Sequence, residues 1–339
     1  MWAGMLHMVI GNALIGIAEG MFVAFIFKTK RKLCVPVMIV ANYLSAWVGG
    51  LLLTQFLTPH LDINLYNGRL WMVLLTAITF IATVILELPF VLFCARGIGA
   101  RRTKIIQVNC LVQFVSYLIL TLWYLSASRV SLYSKFEVLP SSRIVVNEEA
   151  LLYYIAGPDG NVYSSRLDGS ERQQVFALQS TNHYDRLFVK KNGSNQWDLM
   201  FQGGGDRQQS QTLTLTSNLT SSAVEDPRTD NGKAEGTWFN FGAITSLANS
   251  NEWDFVTGFW AAEGIHGKNS RTGERLHCSF ETPFLNWFIR NGTQLPNEQV
   301  VFQLGKDQIC ILDPKFKTIA LVARGRGPVV ALQSRPITQ

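Results

Sequence analysis

The chain has 339 residues, a hydrophobic fraction of 48% and a formal net charge of +6. That hydrophobic fraction is high for a wholly soluble protein of this length, so part of the chain is expected to lie in lipid. The whole charge excess falls in residues 1–127, which carry nine Lys or Arg against three Asp or Glu, whereas residues 128–339 are neutral. A cationic nucleic-acid surface on a soluble domain is therefore not expected, and the predicted partners include no nucleic acid.

Four long apolar runs fill the N-terminal part of the chain. They cover about 6–27, 33–57, 70–95 and 105–125. Each reaches the roughly 20 residues that a helix needs to cross about 30 Å of hydrocarbon. No cationic segment precedes the first run and no small-residue cleavage site follows it, which favours a retained helix over a signal peptide. The sequence therefore predicts a four-helix transmembrane domain over residues 1–127, with the lipid bilayer as its partner.

The positive charges indicate which helix ends face the cytoplasm. They form one cluster between the first and second runs and one between the third and fourth: Lys28, Lys30, Arg31 and Lys32, then Arg96, Arg101, Arg102 and Lys104. Because cytoplasmic loops are enriched in Lys and Arg, the N-terminus, the loop at 58–69 and everything after the fourth run are predicted to lie outside. Aromatic residues typical of a headgroup layer fall at the predicted outer ends: Trp2, Trp71, Trp123 and Tyr124. The expected location is the plasma (inner) membrane, with a periplasmic or extracellular C-terminal domain.

Every apolar run carries polar or small residues at helical spacing, which places them on one helix face. They are Asn12, Gly16, Glu19 and Gly20; Asn42, Ser45 and Gly49; Thr76, Thr79, Thr83 and Glu87; and Asn109, Gln113 and Ser116. Since lipid cannot satisfy these groups, the four faces are expected to meet inside a bundle. At 1.5 Å of rise per residue, one polar residue of each helix falls at about the same depth. With their neighbours these residues define an intramembrane polar layer: Glu19, Asn42, Glu87, Gln113, Asn109 and Asn12.

Glu19 and Glu87 allow two interpretations. An ionisable group at this depth is unfavourable by roughly 3 kcal/mol and is a functional-site hypothesis by default, here a proton or cation site. The alternative is that both carboxyl groups are neutral and hydrogen-bond Asn42 and Gln113, holding the helices together. We favour the second interpretation, because four helices without a repeat or a broken-helix pair make a poor transporter on their own.

The rest of the chain is predicted to be rich in β-strands. Residues 128–142 are interpreted as a tether, and alternating β-branched and aromatic runs broken by Gly, Asn, Asp and Pro begin at 143. Two stretches have the order strand, turn, strand, turn, strand: ALLYYIAGPDGNVYSSRLDGSERQQVFAL at 150–178 and QVVFQLGKDQICILDPKFKTIALVARG at 299–325. In the first, Asp159-Gly160 and Asp168-Gly169 suit tight hairpin turns.

Both stretches resemble blades of the TolB-like or tricorn-type β-propellers, in which a strand ends in a Leu-Asp-Gly or Leu-Asp-Pro turn. The matching turns here are Leu167-Asp168-Gly169 and Leu312-Asp313-Pro314. Residues 203–236 and 253–284 depart from the pattern. The resemblance implies a propeller-like extracytoplasmic domain over 143–339, with a β-sandwich as the alternative.

Catalytic and metal-binding signatures are absent from the sequence. The candidate groups are scattered: His183, Asp185, His266, His277, Glu263 and Glu281. Neither a catalytic residue, a metal site nor a cofactor is predicted. Five tryptophans are candidates for stacking on a sugar or anchoring a protein, although most of them are expected in the core: Trp197, Trp238, Trp253, Trp260 and Trp287.

Two cysteines, Cys278 and Cys310, are predicted to lie on the oxidising side. They form either a disulfide or a pair of buried thiols. Asn192, Asn218 and Asn291 stand in glycosylation sequons, which would be silent in a bacterium; the propeller-like turns favour a bacterial envelope.

Two functions from different classes remain. The first is a non-catalytic, membrane-anchored binding or complex-assembly protein whose β-domain binds another envelope protein or a glycan. The second is a channel, a transporter subunit or a proton-coupled component that uses Glu19 and Glu87. An ectodomain hydrolase is a third, weaker hypothesis.

Overall fold

A computed structural model describes residues 6–126, 131–146, 150–183, 185–192, 196–203, 212–219, 221–222, 244–247, 251–258, 263–282 and 285–333. The chain divides into two compact units near residue 130. The first is Met1–Val130 together with Glu281–Asn286, and the second is Ser131–Phe280 together with Trp287–Gln339.

The first unit contains four helices that are long and apolar enough to cross a membrane. They are α1 (Asn12–Phe27), which continues a π-helical turn at His7–Gly11, α2 (Arg31–Leu51), α3 (Gly68–Cys94) and α4 (Arg102–Ser126). The four predicted helices are thus confirmed, with one difference in the second. Its α-helical part ends at Leu51 and a π-helical turn at Leu52–Leu57 continues it, where an α-helix was expected over 33–57.

Two glycines set the closest helix crossing of the bundle. A Cβ built on Gly16 would lie 2.6 Å from the Cα of Ile39, and one on Gly20 would lie 2.6 Å from the Cα of Val35. Only glycine therefore lets α1 approach the backbone of α2 this closely. The spacing of four residues puts Gly16 and Gly20 on the same face of α1, as a crossing over both of them requires.

The two basic loops leave the bundle at the same end. Residues next to both loops share one buried cluster, which includes Phe27, Cys34, Cys94, Ala95 and Ile105. At the opposite end, Nδ1 of His7 lies 3.1 Å from the hydroxyl of Tyr124. Large apolar side chains on the outside of the helices are exposed, as a lipid-facing surface requires: Leu14, Phe25, Val40, Val73, Ile85, Phe114 and Leu122 are examples.

The described residues of the second unit form β-strands apart from short helical turns. Among the described residues, ten strands form one curled half-barrel sheet. Its main path runs β4 (Gln173–Phe176), β3 (Val162–Arg166), β2 (Ala150–Ala156), β16 (Thr318–Gln333), β15 (Gln308–Asp313), β14 (Val300–Leu304), β13 (Ile289–Gln294) and β9 (Thr245–Ser246). The short strands β1 (Glu137–Val138) and β8 (Ser221–Ser222) also pair with β16.

Two three-stranded antiparallel sheets complete the described β-structure. One is β5 (Arg186–Asn192), β6 (Gln196–Gln202) and β7 (Thr212–Leu219). The other is β10 (Trp253–Thr257), β11 (Ile265–Asn269) and β12 (Arg275–Cys278).

Strand β2 shows why its sequence is apolar without a break. Leu152 and Tyr154 belong to one buried cluster of the sheet, whereas Tyr153 and Ile155 belong to another. Successive side chains of a strand point to opposite faces, so a strand covered on both faces loses the polar alternation. The first cluster also includes Ile309, Ile311 and Ala320, and the second includes Leu187 and Leu199.

The predicted hairpins form, and among the described residues they belong to one continuous sheet. Gly160 and Gly169 have φ of 66° and 87°, the left-handed backbone that Asp-Gly turns require. Both predicted stretches are three-stranded antiparallel meanders, and the 16-residue strand β16 joins them edge to edge in one sheet. The all-β prediction is confirmed, whereas the propeller-like arrangement is not.

The segment expected to be a tether is folded from residue 131 onward. It forms a short helix, α5 (Ser131–Lys135), whose Leu132 is fully buried and donates its amide to Ser279 O at 2.9 Å. Strand β1 follows and pairs in parallel with β16. Residues 131–142 are therefore part of the β unit rather than a free linker.

Candidate functional site

The intramembrane polar layer lies inside the helical bundle. Glu87 is fully buried, and the exposed fractions of Gln113, Glu19 and Asn42 are 1%, 3% and 7%. Each comes from a different helix, so the four polar faces meet in the interior. This burial explains why polar residues recur at helical spacing in otherwise apolar runs.

The carboxyl group of Glu19 joins α1 to two other helices. Its Oε2 lies 2.5 Å from the side-chain amide of Asn42 on α2, and its Oε1 lies 2.5 Å from the hydroxyl of Ser116 on α4. Both carboxyl oxygens therefore have a partner of their own.

The carboxyl group of Glu87, on α3, also joins its helix to two others. Its Oε1 lies 2.6 Å from the hydroxyl of Ser45 on α2, and its Oε2 accepts from the side-chain amide of Gln113 on α4 at 2.6 Å. With the contacts of Glu19, these bonds form a closed ring that runs α1, α2, α3, α4 and back to α1. We call the six side chains the polar ring: Glu19, Asn42, Ser45, Glu87, Gln113 and Ser116.

The hydroxyl of Ser45 lies between two oxygen atoms. Its oxygen is 3.1 Å from the carbonyl oxygen of Asn42 and 2.6 Å from Oε1 of Glu87. A serine hydroxyl has one proton, so it donates to one of these two oxygens at a time. The shorter of the two contacts is the one that links α2 to α3.

Asn12 and Asn109 lie in the bundle but outside the polar ring. The side-chain amide of Asn12, which is 3% exposed, donates to Met8 O at 3.2 Å within its own helix. That of Asn109, fully buried, donates to Val84 O of α3 at 2.8 Å. The Oδ1 of Asn109 has no hydrogen-bond donor among the described residues.

The candidate tryptophans of the β unit are mostly packed rather than exposed. Trp253 and Trp287 are 6% and 7% exposed; Trp253 stacks on Phe255, and Trp287 packs against Phe280 with ring centroids 4.5 Å apart. Trp197 is partly buried against the second cluster of the sheet. Trp238 and Trp260 lie outside the described residues. Trp253 and Trp287 are therefore packed in the core of the β unit.

The scattered His and carboxylate candidates form pairs rather than a catalytic group. His266 and His277 stack across β11 and β12 with centroids 4.4 Å apart, and Nε2 of His277 lies 2.8 Å from Glu263 O. Asp185 is 6% exposed and accepts from the hydroxyl of Ser180, with the exposed His183 two residues before it. Glu281 is 4% exposed. Within the described part of the chain, no three His, Cys, Asp or Glu side chains group closely enough to hold a metal ion.

Cys278 and Cys310 are both free and fully buried thiols, which is the second of the two alternatives for this pair. They lie close enough to interact electrostatically. Burial raises the pKa of both thiols well above its ordinary value. Neither side chain therefore presents a reactive thiolate.

Sequence reasoning missed two sets of polar residues. Ser45 and Ser116 were placed on the polar stripes, but their bonds to the two carboxyl groups were not foreseen. Gln303, Arg326 and Asp185 are buried polar residues of the β unit, and none was grouped with the others. The signal for Gln303 was a glutamine inside the apolar run of β14, VVFQL.

No protein-family model matches this chain, and no curated protein matches it as a relative. Its function is therefore argued from its own residues.

Proposed function

We propose that this chain is a non-catalytic, membrane-anchored binding or complex-assembly protein that acts through its β unit. The four helices serve as the anchor, and the β unit lies on the periplasmic or extracellular side of a bacterial plasma membrane. There it binds another protein of the envelope. A propeller-like surface over 143–339 belongs to the same proposal.

The observation that carries this proposal is the closed polar ring. Every oxygen of Glu19 and Glu87 already has a side-chain partner on a neighbouring helix. Such bonds stabilise helix association by about 0.6–2 kcal/mol each. Carboxyl groups bonded in this way hold the helices together, which is the role that an anchor needs and leaves the larger β unit as the functional part.

The test is affinity purification of the full chain from cross-linked native membranes. A stoichiometric protein partner is expected, and it should be retained by the double variant Glu19→Gln and Glu87→Gln. A chain that purifies alone from cross-linked membranes would contradict the proposal, and so would capture of a glycan without protein, which would assign a different partner.

A second function is favoured by one observation. The carboxyl groups of Glu19 and Glu87 are close enough to interact electrostatically. In the same layer, Oδ1 of Asn109 is unpartnered among the residues that the structure describes, and a proton-coupled component would use such a group of sites. Its test is proton flux into liposomes that contain the chain alone, where flux abolished by Glu87→Gln would support this function over the first.

A further inference from the structure

The two ends of the helical bundle differ in the side chains that lie between the polar ring and the solvent. On the side of the basic loops, the buried side chains form one apolar cluster, whose members include Val23, Phe27, Met38, Val91, Ile105 and Val108. Among the described residues, Asn109 is the one buried polar side chain there, and its amide donates to Val84 O at 2.8 Å. We call this part of the bundle the apolar half.

The apolar half is closed where it meets the basic loops. Cys34 and Cys94 stand next to the two loops, yet they are 0% and 1% exposed. The Sγ of Cys34 lies 3.1 Å from the hydroxyl of Thr29, in the loop between α1 and α2. In the same region, Gly20 brings the backbone of α1 against Val35 on α2. Because a proton is strongly disfavoured among apolar groups without water, this half separates the ring from the solvent at the basic loops.

The other half of the bundle carries hydroxyl groups next to the polar ring. Thr83 and Thr79 lie four and eight residues before Glu87, on the same face of α3. The hydroxyl of Thr83 lies 2.9 Å from that of Tyr117 on α4. Tyr117 follows Gln113 by four residues, so this contact lies about 6 Å, one helical turn, from the bond between Glu87 and Gln113. We call this part of the bundle the polar half.

The polar half reaches the end of the bundle that is opposite to the basic loops. A Cβ built on Gly49, on the polar face of α2, has no described atom within 4 Å. Both π-helical segments, His7–Gly11 and Leu52–Leu57, belong to this end, where the ring of His7 meets the hydroxyl of Tyr124. These two side chains are partly exposed, and π-helical segments are frequent at functional sites. Polar groups therefore extend from the ring to this end.

Ionisation would act on the polar ring directly. A carboxylate in this interior is unfavourable, and two carboxylates would also repel each other. Among the described residues, the titratable groups that face each carboxyl group are the other carboxyl group and Tyr117. Helix α2 contributes Asn42 and Ser45, which do not titrate. The hydrogen bonds that join the four helices therefore depend on whether Glu19 and Glu87 hold their protons.

We propose that Glu19 and Glu87 exchange protons with the solution through the polar half alone, so that the polar ring responds to the pH at the end of that half. The apolar half separates the ring from the pH at the basic loops. Hydroxyl groups both donate and accept hydrogen bonds, so those of the polar half suit the passage of protons. The bundle is then an anchor whose helix contacts change with the pH of one compartment.

This inference rests on the first proposed function and adds regulation to its anchor. It also predicts that the chain alone conducts no protons across a membrane, since the ring is closed on one side. Its tests use the purified chain without a protein partner. They can therefore fail while the partner of the β unit is found, and the partner can be missing while they succeed.

The first test compares two cysteines on α3 at equal distances from Glu87. Thr83→Cys lies four residues before it, in the polar half, and Val91→Cys lies four residues after it, in the apolar half. A charged thiosulfonate is added to the full chain in lipid nanodiscs, which leave both membrane faces open to the reagent. Labelling at position 83 should be about tenfold faster than at 91 or more, because the reactive thiolate forms where water reaches the thiol.

Peptide mass spectrometry resolves each cysteine, so the native Cys34 and Cys94 are further controls in the apolar half and should stay unlabelled. The chain unfolded in SDS, in which all these positions should be labelled, gives the reference rate. Equal rates at positions 83 and 91, faster labelling at 91, or no labelling at 83 would overturn the proposal.

The second test uses wild type and does not depend on the folding of a variant. A lipid-soluble carbodiimide, which reacts with protonated carboxyl groups, is applied to liposomes whose orientation is read from impermeant labelling of Lys30 and Lys32. Raising the pH at the end of the polar half should slow modification of Glu19 and Glu87, by about tenfold per pH unit once they are mostly ionised. The same change at the basic loops should leave the rate unchanged. A rate that follows the pH at the basic loops, or at neither end, would contradict one-sided access.

Discussion

Glu87 links three helices in the interior of the bundle. It is fully buried, and its two oxygens connect α3 to Ser45 on α2 and to Gln113 on α4. A neutral carboxyl group and a primary amide have nearly the same shape, and each combines one acceptor with a donor. The role of Glu87 as a tie between helices therefore does not require a charge.

Substitutions at Glu87 should separate shape from hydrogen bonding. Glu87→Gln keeps a donor for Ser45 and an acceptor for Gln113, so the free energy of unfolding should change by less than about 0.5 kcal/mol. Glu87→Leu removes the bond to Ser45 and leaves the buried side-chain amide of Gln113 without this acceptor, which should lower the free energy of unfolding by about 1–3 kcal/mol. Unfolding by SDS in mixed micelles measures the free energy of unfolding of both variants. Ile85→Leu, at an exposed position, is the control. An equal loss in the free energy of unfolding for Glu87→Gln and Glu87→Leu would show that Glu87 does not stabilise the bundle through these hydrogen bonds.

At the scale of elements, the contact of α1 with α2 depends on two glycines without room for a methyl group. Glycine is a weaker helix former than alanine by about 1 kcal/mol, so its presence in a transmembrane helix needs a packing reason. At Gly16 and Gly20 that reason is the backbone of α2, 2.6 Å from a built Cβ. Gly49 on α2 has nothing within 4 Å and shows no such reason.

Alanine substitutions at these three glycines should change the stability of the bundle according to the space around each one. Gly16→Ala and Gly20→Ala each force α1 away from α2, and a loss of roughly 1–3 kcal/mol is expected, as for overpacking in a core. Gly49→Ala should be neutral or slightly stabilising. The same SDS titration measures all three variants. Loss of stability in Gly49→Ala, or none in Gly20→Ala, would contradict the close crossing.

The first residues of the β unit, 131–142, are expected to contribute to its stability. Leu132 is fully buried, Phe136 is 5% exposed, and β1 adds to the sheet beside β16. A fragment that begins at residue 131 should therefore unfold at a higher temperature than one that begins at 143, because burying such side chains stabilises by about 1.5–3 kcal/mol each. Both should show strand and little helix by circular dichroism. Equal midpoints would mean that residues 131–142 act as a free tether.

For the whole molecule, the sequence predicted elements better than their assembly. Apolar length identified the four helices, and turns such as Asp159-Gly160 identified the hairpins, because both signals are local. The pairing of β16 with β2 joins residues some 170 positions apart, and neither strand's own sequence specifies its neighbour. The bond of Ser116 to Glu19 spans 97 positions and escaped prediction for the same reason.

The proposed function requires the four helices to anchor the chain and the β unit to lie outside the cytoplasm. The most direct test is labelling with a membrane-impermeant lysine reagent, followed by peptide mass spectrometry of the full chain. Lys190 and Lys191, exposed on β5, should be labelled in right-side-out cells. Lys30 and Lys32, exposed at the start of α2, should be labelled only in inverted vesicles. Labelling of Lys190 and Lys191 only in inverted vesicles would place the β unit in the cytoplasm and contradict the proposal.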